Sequence, residues 1–514
     1  MTQLSAGSIR DKIVSLEQLA ETAASLRAEN KKVVHCHGVF DLLHIGHIRH
    51  FELARRMGDA LIVTVTPDRY VDKGPHHPAF TESLRAEAIA SLACVDYVAI
   101  NNWPTAVETI GLLKPCIYVK GSDYKDASKD HTGKIMDEEA AVQAAGGEIA
   151  FTEDIMFSSS KLINRNLQVL PDEVRDYLDG FTRRYTVDDI LGYFRDASSL
   201  NVLVIGEAII DDYRYCETIG KSAKEPILAA KFLNMEKYAG GTLAVANHVA
   251  NFCDNVTLLT ILGERDTQEE FVRQSLRDNI ETMFIYKADS PTIVKRRFVE
   301  SYLLQKLFEV YEMNDEELNG EQEHSLCALI EKTLPSYDVV IAVDYGHGML
   351  TGNVITTLCR DARFLAVNTQ ANAGNRGFNT ISKYPRADYI CLANHEIALE
   401  ERSRQGNVRE MMLNISRKLT CDKVVVTRGR FGNTCYSEAG GFVEAPAFTE
   451  HVIDRMGAGD AVISLTSLCV ARQAPMEVVG FISNVVGAQA VATLGHKKSI
   501  ERASLFKYIE SLMK

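Results

Sequence analysis

A chain of 514 residues is longer than a single hydrophobic core usually serves, which predicts two or three domains. Its hydrophobic fraction of 46% and charged fraction of 24% are ordinary for a globular protein, and its net charge of -13 argues against a nucleic-acid-binding surface. No apolar run reaches about 20 residues and the N-terminus lacks a signal-peptide pattern, which predicts a cytoplasmic protein with no membrane partner. Its eleven cysteines contain no C-x-x-C pair, so we expect neither a disulfide framework nor a zinc site.

The first third of the chain alternates between short apolar strands and helices. After a helix over residues 11–30, the predicted elements follow in the order KKVVHCHGVF (strand), HIGHIRHFELARRMG (helix), DALIVTVTP (strand), TESLRAEAIASLA (helix), VDYVAI (strand), TAVETIGLLK (helix) and PCIYVKG (strand). Such an alternation predicts a parallel sheet with helices on both faces. Ligands bind these sheets at the carboxyl ends of the strands.

A charged stretch without a strand pattern, residues 164–189, predicts a helical connector and the best domain boundary. A second alternation opens with LNVLVIGEAIID and continues through YDVVIAVDYG, RFLAVNT, ADYICLAN and DKVVVTRG. We therefore predict an N-terminal domain over residues 1–166, a connector over 167–195 and a C-terminal domain over 196–514. The fold class predicted for both domains is α/β.

The stretch GVFDLLHIGH places two histidines, His44 and His47, at the amino end of a predicted helix. Unpaired N–H groups and a partial positive charge make that end an anion site, and Gly46 lets a ligand approach the backbone. The arrangement suits a nucleoside triphosphate whose departing pyrophosphate is hydrogen-bonded by the two imidazoles. Taken alone, H-x-x-H also fits surface histidines or a metal site.

The same stretch resembles the signature of the cytidylyltransferase-like nucleotidyltransferases, and the resemblance covers residues 11–166. It implies a Rossmann-like parallel sheet. YVKGSDYK is similar to a strand-end lysine motif and FSSSKLINR to a late serine-rich motif, although the serines also fit helix N-caps. His77 occupies a place often filled by arginine. The resemblance assigns catalytic roles to His44, His47 and Lys120, and nucleotide contacts to Gly38, Phe40, Asp41, Gly46, Lys73, Arg85, Gly121, Ser159, Ser160 and Arg165.

A second chemical signature is DRMGAGDAVISL, which places Gly-Ala-Gly-Asp at the start of an apolar helix. Consecutive backbone N–H groups there suit a transferring phosphoryl group, and Asp460 is placed to take a proton from an alcohol. The competing interpretation is a plain glycine turn with Asp460 as a helix cap.

With VLVIGEAIIDDY, YAGGTLAVANHVANF and VVTRGRFGN in the expected order, residues 200–514 resemble the ribokinase-like sugar kinases. The resemblance implies an α/β/α domain with a small β lid, ATP and Mg²⁺ as cofactors, and a homodimer contact through the lid. It assigns Asp460 as general base, Thr427, Gly429, Gly432, Gly457, Ala458, Gly459 and Asn484 to the nucleotide, Asp211, Gly240, Gly241, Asn247 and Lys295 to the sugar, and Asn394 and Glu396 to the metal.

Three departures from the kinase pattern stand out in the sequence. Ala244 replaces an asparagine after the double glycine, VNTQAN replaces a D-P-K strand end, and Asn394 and Glu396 have a different interval from the usual N-x-x-E. Loss of a buried hydrogen-bonding group changes which hydroxyl pattern is preferred. We therefore expect an altered sugar rather than an inactive kinase.

The pairing of the two domains resembles the bifunctional heptose 7-phosphate kinase and heptose 1-phosphate adenylyltransferase family, with the usual domain order reversed. It implies phosphorylation of a sugar phosphate at C1 followed by nucleotidyl transfer to the new phosphate. ATP is favoured for the second step and CTP is the alternative. The competing hypothesis keeps the transferase active and makes the kinase-like half a binding or assembly module.

Overall fold

The computed structural model of the chain describes residues 9–71, 77–121, 134–152, 170–302 and 304–514. The chain divides into two compact units, Met1–Pro171 with Phe506–Lys514, and Asp172–Leu505. We call them unit 1 and unit 2 and describe each separately. The predicted site residues Lys73, Ser159, Ser160 and Arg165 lie outside the described residues.

Unit 1 is built on a five-stranded parallel sheet. Its strands are β1 (Val33–Gly38), β2 (Ala60–Val65), β3 (Tyr97–Ile100), β4 (Ile117–Gly121) and β5 (Glu148–Thr152). Its helices are α1 (Leu16–Ala28), α2 (Ile45–Arg55), α3 (Glu82–Ala90), α4 (Val107–Leu113) and α5 (Lys134–Ala144). The spatial order β3-β2-β1-β4-β5 reverses direction between β1 and β4, which is where such sheets open a ligand crevice.

Burial explains why the strands of unit 1 are continuous apolar stretches in the sequence. All six residues of β2 are buried, as are the first four of β1, because helices cover both faces of the sheet. The core on one face includes Val34, Leu61 and Phe51. The α/β class predicted for this part of the chain is confirmed.

Unit 2 contains a larger sheet whose central strands are parallel. Its strands are β6 (Asn201–Lys221), β7 (Leu228–Gly241), β8 (Asn255–Arg265), β9 (Ile280–Pro291), β10 (Ile293–Glu300), β11 (Lys306–Glu312), β12 (Val339–Asp344), β13 (Leu365–Thr369), β14 (Tyr389–Ala393), β15 (Lys423–Thr427), β16 (Asn433–Ser437) and β17 (Gly441–Ala445). Strands β9, β8, β6, β12, β13, β14 and β15 pair in parallel in that order, and β16 and β17 continue the sheet as antiparallel strands.

The helices of unit 2 flank this sheet. They are α6 (Asp172–Thr182), α7 (Val187–Ala197), α8 (Thr242–Ala250), α9 (Glu269–Ser275), α10 (Gly320–Thr333), α11 (Gly352–Asp361), α12 (Asn394–Glu400), α13 (Val408–Lys418), α14 (Ala458–Ala471) and α15 (Met476–Ala490). A last helix, α16 (Arg502–Leu512), begins in unit 2. None of the helices among the described residues has the length and apolar character needed to span a bilayer.

The long strand β6 belongs to two sheets. Its residues 201–207 pair with β8 and β12 in the central sheet, whereas residues 208–221 pair with β7, and residues 209–216 also pair with β10. Strand β11 extends this second sheet by pairing with β10. The sheet of β7, β6, β10 and β11 is the small β lid that the sequence resemblance implies, and we call it the lid.

The region predicted as a helical connector forms α6 and α7, and both helices pack into unit 2. Phe181 of α6 stacks on Phe481 of α15 with a centroid distance of 4.4 Å. Phe194 of α7 lies 5.1 Å from the ring of Phe252. Both phenylalanines of the connector are fully buried, so these helices contribute to the core of unit 2.

Candidate active sites

The first candidate site lies between the end of β1 and the start of α2. His44 caps the helix, and its Nδ1 accepts a hydrogen bond of 3.1 Å from the backbone N–H of Gly46. The imidazoles of His44 and His47 stack with centroids 3.9 Å apart and planes inclined by 20°. Burial lowers the pKa of His44, which favours its neutral form at pH 7. The structure thus brings both histidines together at a helix N-terminus.

Gly38 and Phe40 shape the approach to these histidines. A Cβ at Gly38 would lie 3.0 Å from the Phe40 ring, so glycine lets that ring fold back over the strand end. Phe40 has a φ of +47° and meets the edges of His47 and Phe51 at centroid distances of 5.4 and 5.0 Å. Phe40 therefore supports the position of His47.

Asp41 binds the segment that follows β2. Its Oδ2 lies 2.5 Å from Nδ1 of His77, and its Oδ1 accepts the backbone N–H of Ala79. Nε2 of His77 lies 3.2 Å from the Ser511 hydroxyl, within the same unit. Both Asp41 and His77 are almost fully buried. The structure thus gives Asp41 a contact to the protein where the sequence predicted one to a nucleotide.

Arg85 is placed differently from its predicted nucleotide contact. Its guanidinium donates to the carbonyls of Phe80, Val39 and Thr66, and it pairs with Asp68 at 2.5 Å. The side chain is 1% exposed. These acceptors hold the guanidinium against the ends of β1 and β2. Arg85 therefore stabilises the wall of the crevice from its buried side.

Lys120 and Gly121 end β4 beside the end of β1. Nζ of Lys120 forms a 2.7 Å ion pair with Glu138 of α5; the Glu138 side chain is buried, and that of Lys120 is 11% exposed. A Cβ at Gly121 would meet no atom of the described residues within 4 Å. Glu138 was not singled out in the sequence because nothing local marks an acid on α5 as the partner of a strand-end lysine.

The second candidate site lies at the carboxyl edge of the central sheet of unit 2. Helix α14 starts there, after Gly457, whose φ of +78° is left-handed. One carboxylate oxygen of Asp460 accepts hydrogen bonds from the Tyr345 hydroxyl at 2.9 Å and from the Gln370 side-chain amide. Burial raises the pKa of Asp460. A buried carboxylate with a raised pKa is the state that suits a general base.

His496 occupies the space beside this carboxylate. Its Nε2 lies 3.6 Å from Oδ2 of Asp460 and 3.5 Å from Oδ2 of Asp211. A Cβ on Gly457 would lie 2.3 Å from the His496 ring, so the imidazole packs directly on the glycine turn. At Gly459 an added Cβ would meet nothing within 4 Å. The turn is therefore covered at its first residue and open at its third.

Asp211 is anchored by the lid. It forms a buried ion pair with Arg297 of β10, and Arg297 also pairs with Glu309 of β11 at 3.0 Å. A Cβ on Gly240 would lie 2.4 Å from Oδ2 of Asp211, so only glycine leaves room for the carboxylate. Gly241 has a φ of +57° and starts α8. These contacts bring together Asp211 and both glycines, three of the residues that the resemblance assigns to the sugar.

Lys295 of β10 is paired in register with Asp211 of β6. Its ammonium lies 5.3 Å from the ring centre of Tyr311 and 6.0 Å from that of Tyr345. Burial lowers the pKa of Lys295, while Asp211 and Asp460 act in the opposite direction. Lys295 therefore places a cation among the acidic groups of the site.

The predicted nucleotide residues fall into two groups. Thr427 ends β15, and Gly429 follows with a φ of +58° and open space around its Cα. Gly432 and Asn484 instead hold the backbone: a Cβ at Gly432 would lie 1.9 Å from the Ala445 carbonyl, and Asn484 donates to that carbonyl at 3.0 Å. These two residues fix the strand turn rather than face a ligand.

The two residues predicted to bind the metal differ in their surroundings. Glu396 is buried, its carboxylate accepts the backbone N–H groups of Ala393 and Ala371, and burial raises its pKa to about 7. Asn394 is exposed. Within the described ranges, no group of three or more His, Cys, Asp or Glu side chains is arranged to hold a metal ion. A single carboxylate still fits Mg²⁺ that arrives bound to nucleotide phosphates.

Both atoms of the Asn247 side-chain amide are hydrogen-bonded to the backbone. Its Nδ2 donates to the Ser275 carbonyl at 2.9 Å, and its Oδ1 accepts the backbone N–H of Arg277 at 3.0 Å. Ala244, the departure in the double-glycine motif, lies one turn earlier on α8. The stretch VNTQAN supplies Gln370 to Asp460 and uses Asn368 to bond the Cys391 carbonyl at 2.7 Å.

Sequence reasoning did not assign Tyr345, Gln370 or His496 to the site. It also missed Glu207, a fully buried acid whose carboxylate accepts the N–H groups of Tyr345, His347 and Met349. Glu207 thereby shapes the turn that presents the Tyr345 hydroxyl. An acid inside the otherwise apolar strand VLVIGEAII is the signal that marks it.

Two family matches cover most of the chain. Residues 199–503 match the pfkB family carbohydrate kinase, and residues 35–166 match the cytidylyltransferase-like family. Both resemblances derived from the sequence are confirmed, with the cytidylyltransferase-like region preceding the kinase region.

Similar curated proteins carry the description bifunctional protein HldE. The protein from Trichlorobacter lovleyi is 41% identical over 133 residues, which cover 24% of this chain and 27% of that protein. The protein from Citrifermentans bemidjiense is 24% identical over 313 residues, which cover 60% of this chain and 63% of that protein. Each match therefore spans less than two thirds of the relative's own length.

Solved structures with a similar fold include phosphofructokinase-2 from Escherichia coli and a ribokinase from Thermotoga maritima. The first is 14% identical, covers 62% of this chain and all of its own, and has a TM-score of 0.49. The second is 17% identical, covers 60% of this chain and 99% of its own, and also has a TM-score of 0.49.

Proposed function

Because the chain belongs to the pfkB family of carbohydrate kinases, we propose that unit 2 transfers a phosphoryl group from ATP to the C1 hydroxyl of a sugar phosphate. We propose in addition that unit 1 transfers a nucleotidyl group to the resulting sugar 1-phosphate. The observation that carries the first step is the buried carboxylate of Asp460 at the glycine turn of α14. The stacked pair of His44 and His47 at the start of α2 carries the second.

In the kinase step, Asp460 takes the proton of the sugar hydroxyl while that oxygen attacks the γ-phosphorus of ATP. The bond from the γ-phosphorus to the bridging oxygen breaks, and ADP leaves. Burial raises the pKa of Asp460, which makes it a stronger base, while Tyr345 and Gln370 fix its orientation. Backbone N–H groups from Gly457 to Gly459 would stabilise the charge on the transferring group.

Magnesium fits this site as a partner of the nucleotide phosphates. Glu396 would hold it, because its buried carboxylate has a pKa raised to about 7 and gains from a nearby cation. The ion would supply neutralisation of phosphate charge. Lys295 brings a second cation close to Asp211 and Asp460.

In the transferase step, a phosphate oxygen of the sugar 1-phosphate attacks the α-phosphorus of a nucleoside triphosphate, and pyrophosphate leaves. His44 and His47 would hydrogen-bond the pyrophosphate at the positive end of α2. Lys120 would add a charge at the end of β4 after releasing Glu138. ATP is our preferred donor from the pairing of the two families alone, with CTP as the alternative.

Heptose 7-phosphate is the acceptor class that we propose, from the pairing of the two families. The decisive experiment measures ADP formation from ATP with a panel of hexose and heptose phosphates, and pyrophosphate release with each triphosphate and sugar 1-phosphate. Turnover in both assays supports the bifunctional enzyme. The absence of ADP formation with every sugar phosphate, together with active pyrophosphate release, would contradict the kinase half.

One observation favours the alternative in which the kinase-like half is a binding or assembly module. The imidazole of His496 lies between Asp211 and Asp460 and covers Gly457, where an acceptor hydroxyl and a phosphoryl group would meet. A kinase with this arrangement must displace the imidazole before the acceptor reaches Asp460. Displacement lowers the apparent affinity for the acceptor, because only the open state binds.

We therefore expect His496→Ala to lower the KM for the acceptor by about fivefold or more, since the cost of displacing the ring is removed. The KM for ATP is expected to change less than twofold. Steady-state kinetics with both substrates measure the two values. A rise in the acceptor KM would show instead that His496 contacts the sugar.

The lid supports the proposal of a homodimer. Several apolar side chains of the lid and of the turn between β6 and β7 are about half exposed or more, namely Ile219, Ile227, Leu228, Phe232, Leu233, Met235 and Phe308. Edge strand β7 carries four of them, and exposed apolar groups on an edge strand are a common site of association.

For this dimer we expect Phe232→Glu to shift the protein to a monomer in sedimentation equilibrium. Phe378→Glu is the matched control, because Phe378 is 90% exposed but lies outside the lid. Wild-type protein that sediments as a monomer would rule out the homodimer.

A further inference from the structure

Unit 2 contains a groove of about 420 Å³ beside α8, and we call it the basic groove. It is lined by Lys237, Tyr238, Ala239, Ala244, Asn247, His248, Ser275, Leu276, Arg277, His496, Lys497, Lys498, Ser499 and Glu501. Nothing in the two proposed reaction steps uses its far end. Its position and charge point to a ligand of its own.

Four of the lining side chains are cations and one is a carboxylate. Arg277 forms an ion pair with Glu501, and Lys497 pairs with Glu236 at 3.1 Å. Lys237 donates to the Gln268 amide oxygen at 3.0 Å, so its charge is not cancelled by that contact. In a chain with a net charge of -13, this concentration of cations is a local excess that suits an anion.

Partly buried hydrogen bonds hold the segments that line the groove. Asn247 fixes the Ser275–Arg277 segment through both atoms of its amide. Asn251 binds Ser499 and the Ile500 carbonyl, each at 2.9 Å, which fixes the opposite wall. The groove is therefore preformed and does not depend on ligand binding for its shape.

His248 lies between these walls and is neutral. Its Nδ1 accepts the backbone N–H of Ile500 at 3.0 Å, and burial lowers its pKa to about 3. The affinity of the groove for anions must then come from the lysines and the arginine. Arginine and lysine are the side chains that bind phosphate through charge-assisted hydrogen bonds.

The groove is contiguous with the kinase site through a shared residue. His496 lines the groove and also lies within 3.6 Å of the carboxylates of Asp211 and Asp460. Ala244, with a side chain of one methyl group, lines the groove as well. A ligand anchored in the groove can therefore extend past His496 towards Asp460.

We propose that the basic groove binds the phosphate monoester that the acceptor sugar already carries, at the end remote from the reacting hydroxyl. This inference rests on the proposed kinase function of unit 2. It makes Arg277 and Lys498 specificity-determining residues for phosphorylated over unphosphorylated sugars. Binding of the phosphate also places the sugar against His496, the ring that must move for reaction.

The test uses the full chain and calorimetric titration with an aldoheptose 7-phosphate, the corresponding free aldoheptose, inorganic phosphate and ATP. We expect Arg277→Ala and Lys498→Ala each to weaken binding of the sugar phosphate about tenfold, because each removes one charged contact. Binding of ATP is expected to stay unchanged. Arg273→Ala is the matched control, since Arg273 also forms an ion pair, with Glu269 of its own helix α9, but does not line the groove.

Three other outcomes would overturn the inference, and the measurements distinguish them. Sugar phosphate binding that is unchanged in both variants removes the groove as the phosphate site and leaves the kinase function standing. Loss of ATP binding in the same variants assigns the groove to the nucleotide. If neither the aldoheptose 7-phosphate nor any sugar phosphate of the kinase panel binds or is phosphorylated, the kinase function and the groove proposal fail together.

Discussion

Asp460→Asn is expected to lower the rate of sugar phosphorylation about a thousandfold, because an amide cannot accept the proton of the attacking hydroxyl. The substitution keeps the shape of the side chain, and its amide oxygen can still accept from Tyr345 at the position where the carboxylate does. Binding of ATP and the fold of unit 2 should therefore persist. The rate is measured as ADP formation, with ATP binding followed by titration.

The matched measurement is nucleotidyl transfer from supplied sugar 1-phosphate. It should be unchanged in Asp460→Asn, since Asp460 belongs to unit 2 and the histidine pair to unit 1. Equal loss of both activities would show that the two reactions share a site. Retained phosphorylation would remove Asp460 as the base.

His44→Ala and His47→Ala are each expected to lower nucleotidyl transfer about 100-fold to 1000-fold. Each removes one positioned donor to the leaving pyrophosphate, and loss of such a donor has a cost of this order. The two rings stack at 3.9 Å, so we expect the double variant to lose less than the product of the single losses. Pyrophosphate release measures the rate.

His50→Asn is the control for this pair on the same helix. Nδ1 of His50 lies 2.7 Å from the Thr152 hydroxyl, and an asparagine amide can replace that contact. Burial lowers the pKa of His50 to about 4, so the residue is neutral at pH 7 and its replacement changes no charge. A loss in His50→Asn as large as in His44→Ala would indicate a general disturbance of α2 rather than lost pyrophosphate contacts.

The fold and the centre of each site follow from local sequence signals. His44, Gly46 and His47 share one helix start, and the Gly-Ala-Gly-Asp run around Asp460 needs only its own helix to define it. Strand periodicity was sufficient for the parallel sheets, because buried parallel strands are apolar throughout. These features depend on residues that are close in sequence.

The missed features depend on residues that are distant in sequence. His496 reaches Gly457 across 39 positions, and Tyr345 reaches Asp460 across 115. Arg85 is a basic residue in the predicted place, but its direction was decided by carbonyls at the ends of β1 and β2. A motif gives the type and position of a side chain, whereas its partners are fixed only by tertiary packing.

The uninterrupted course of β6 couples two parts of unit 2 mechanically. Its first seven residues are held between β8 and β12, and Asp211 follows four residues beyond Glu207, where the strand has already entered the lid. Because no loop separates the two parts of β6, a tilt of the lid would move Asp211. The distance between the carboxylates of Asp211 and Asp460, on either side of His496, would then change with the angle of the lid. Binding of the acceptor and its alignment with the base would therefore occur in one movement.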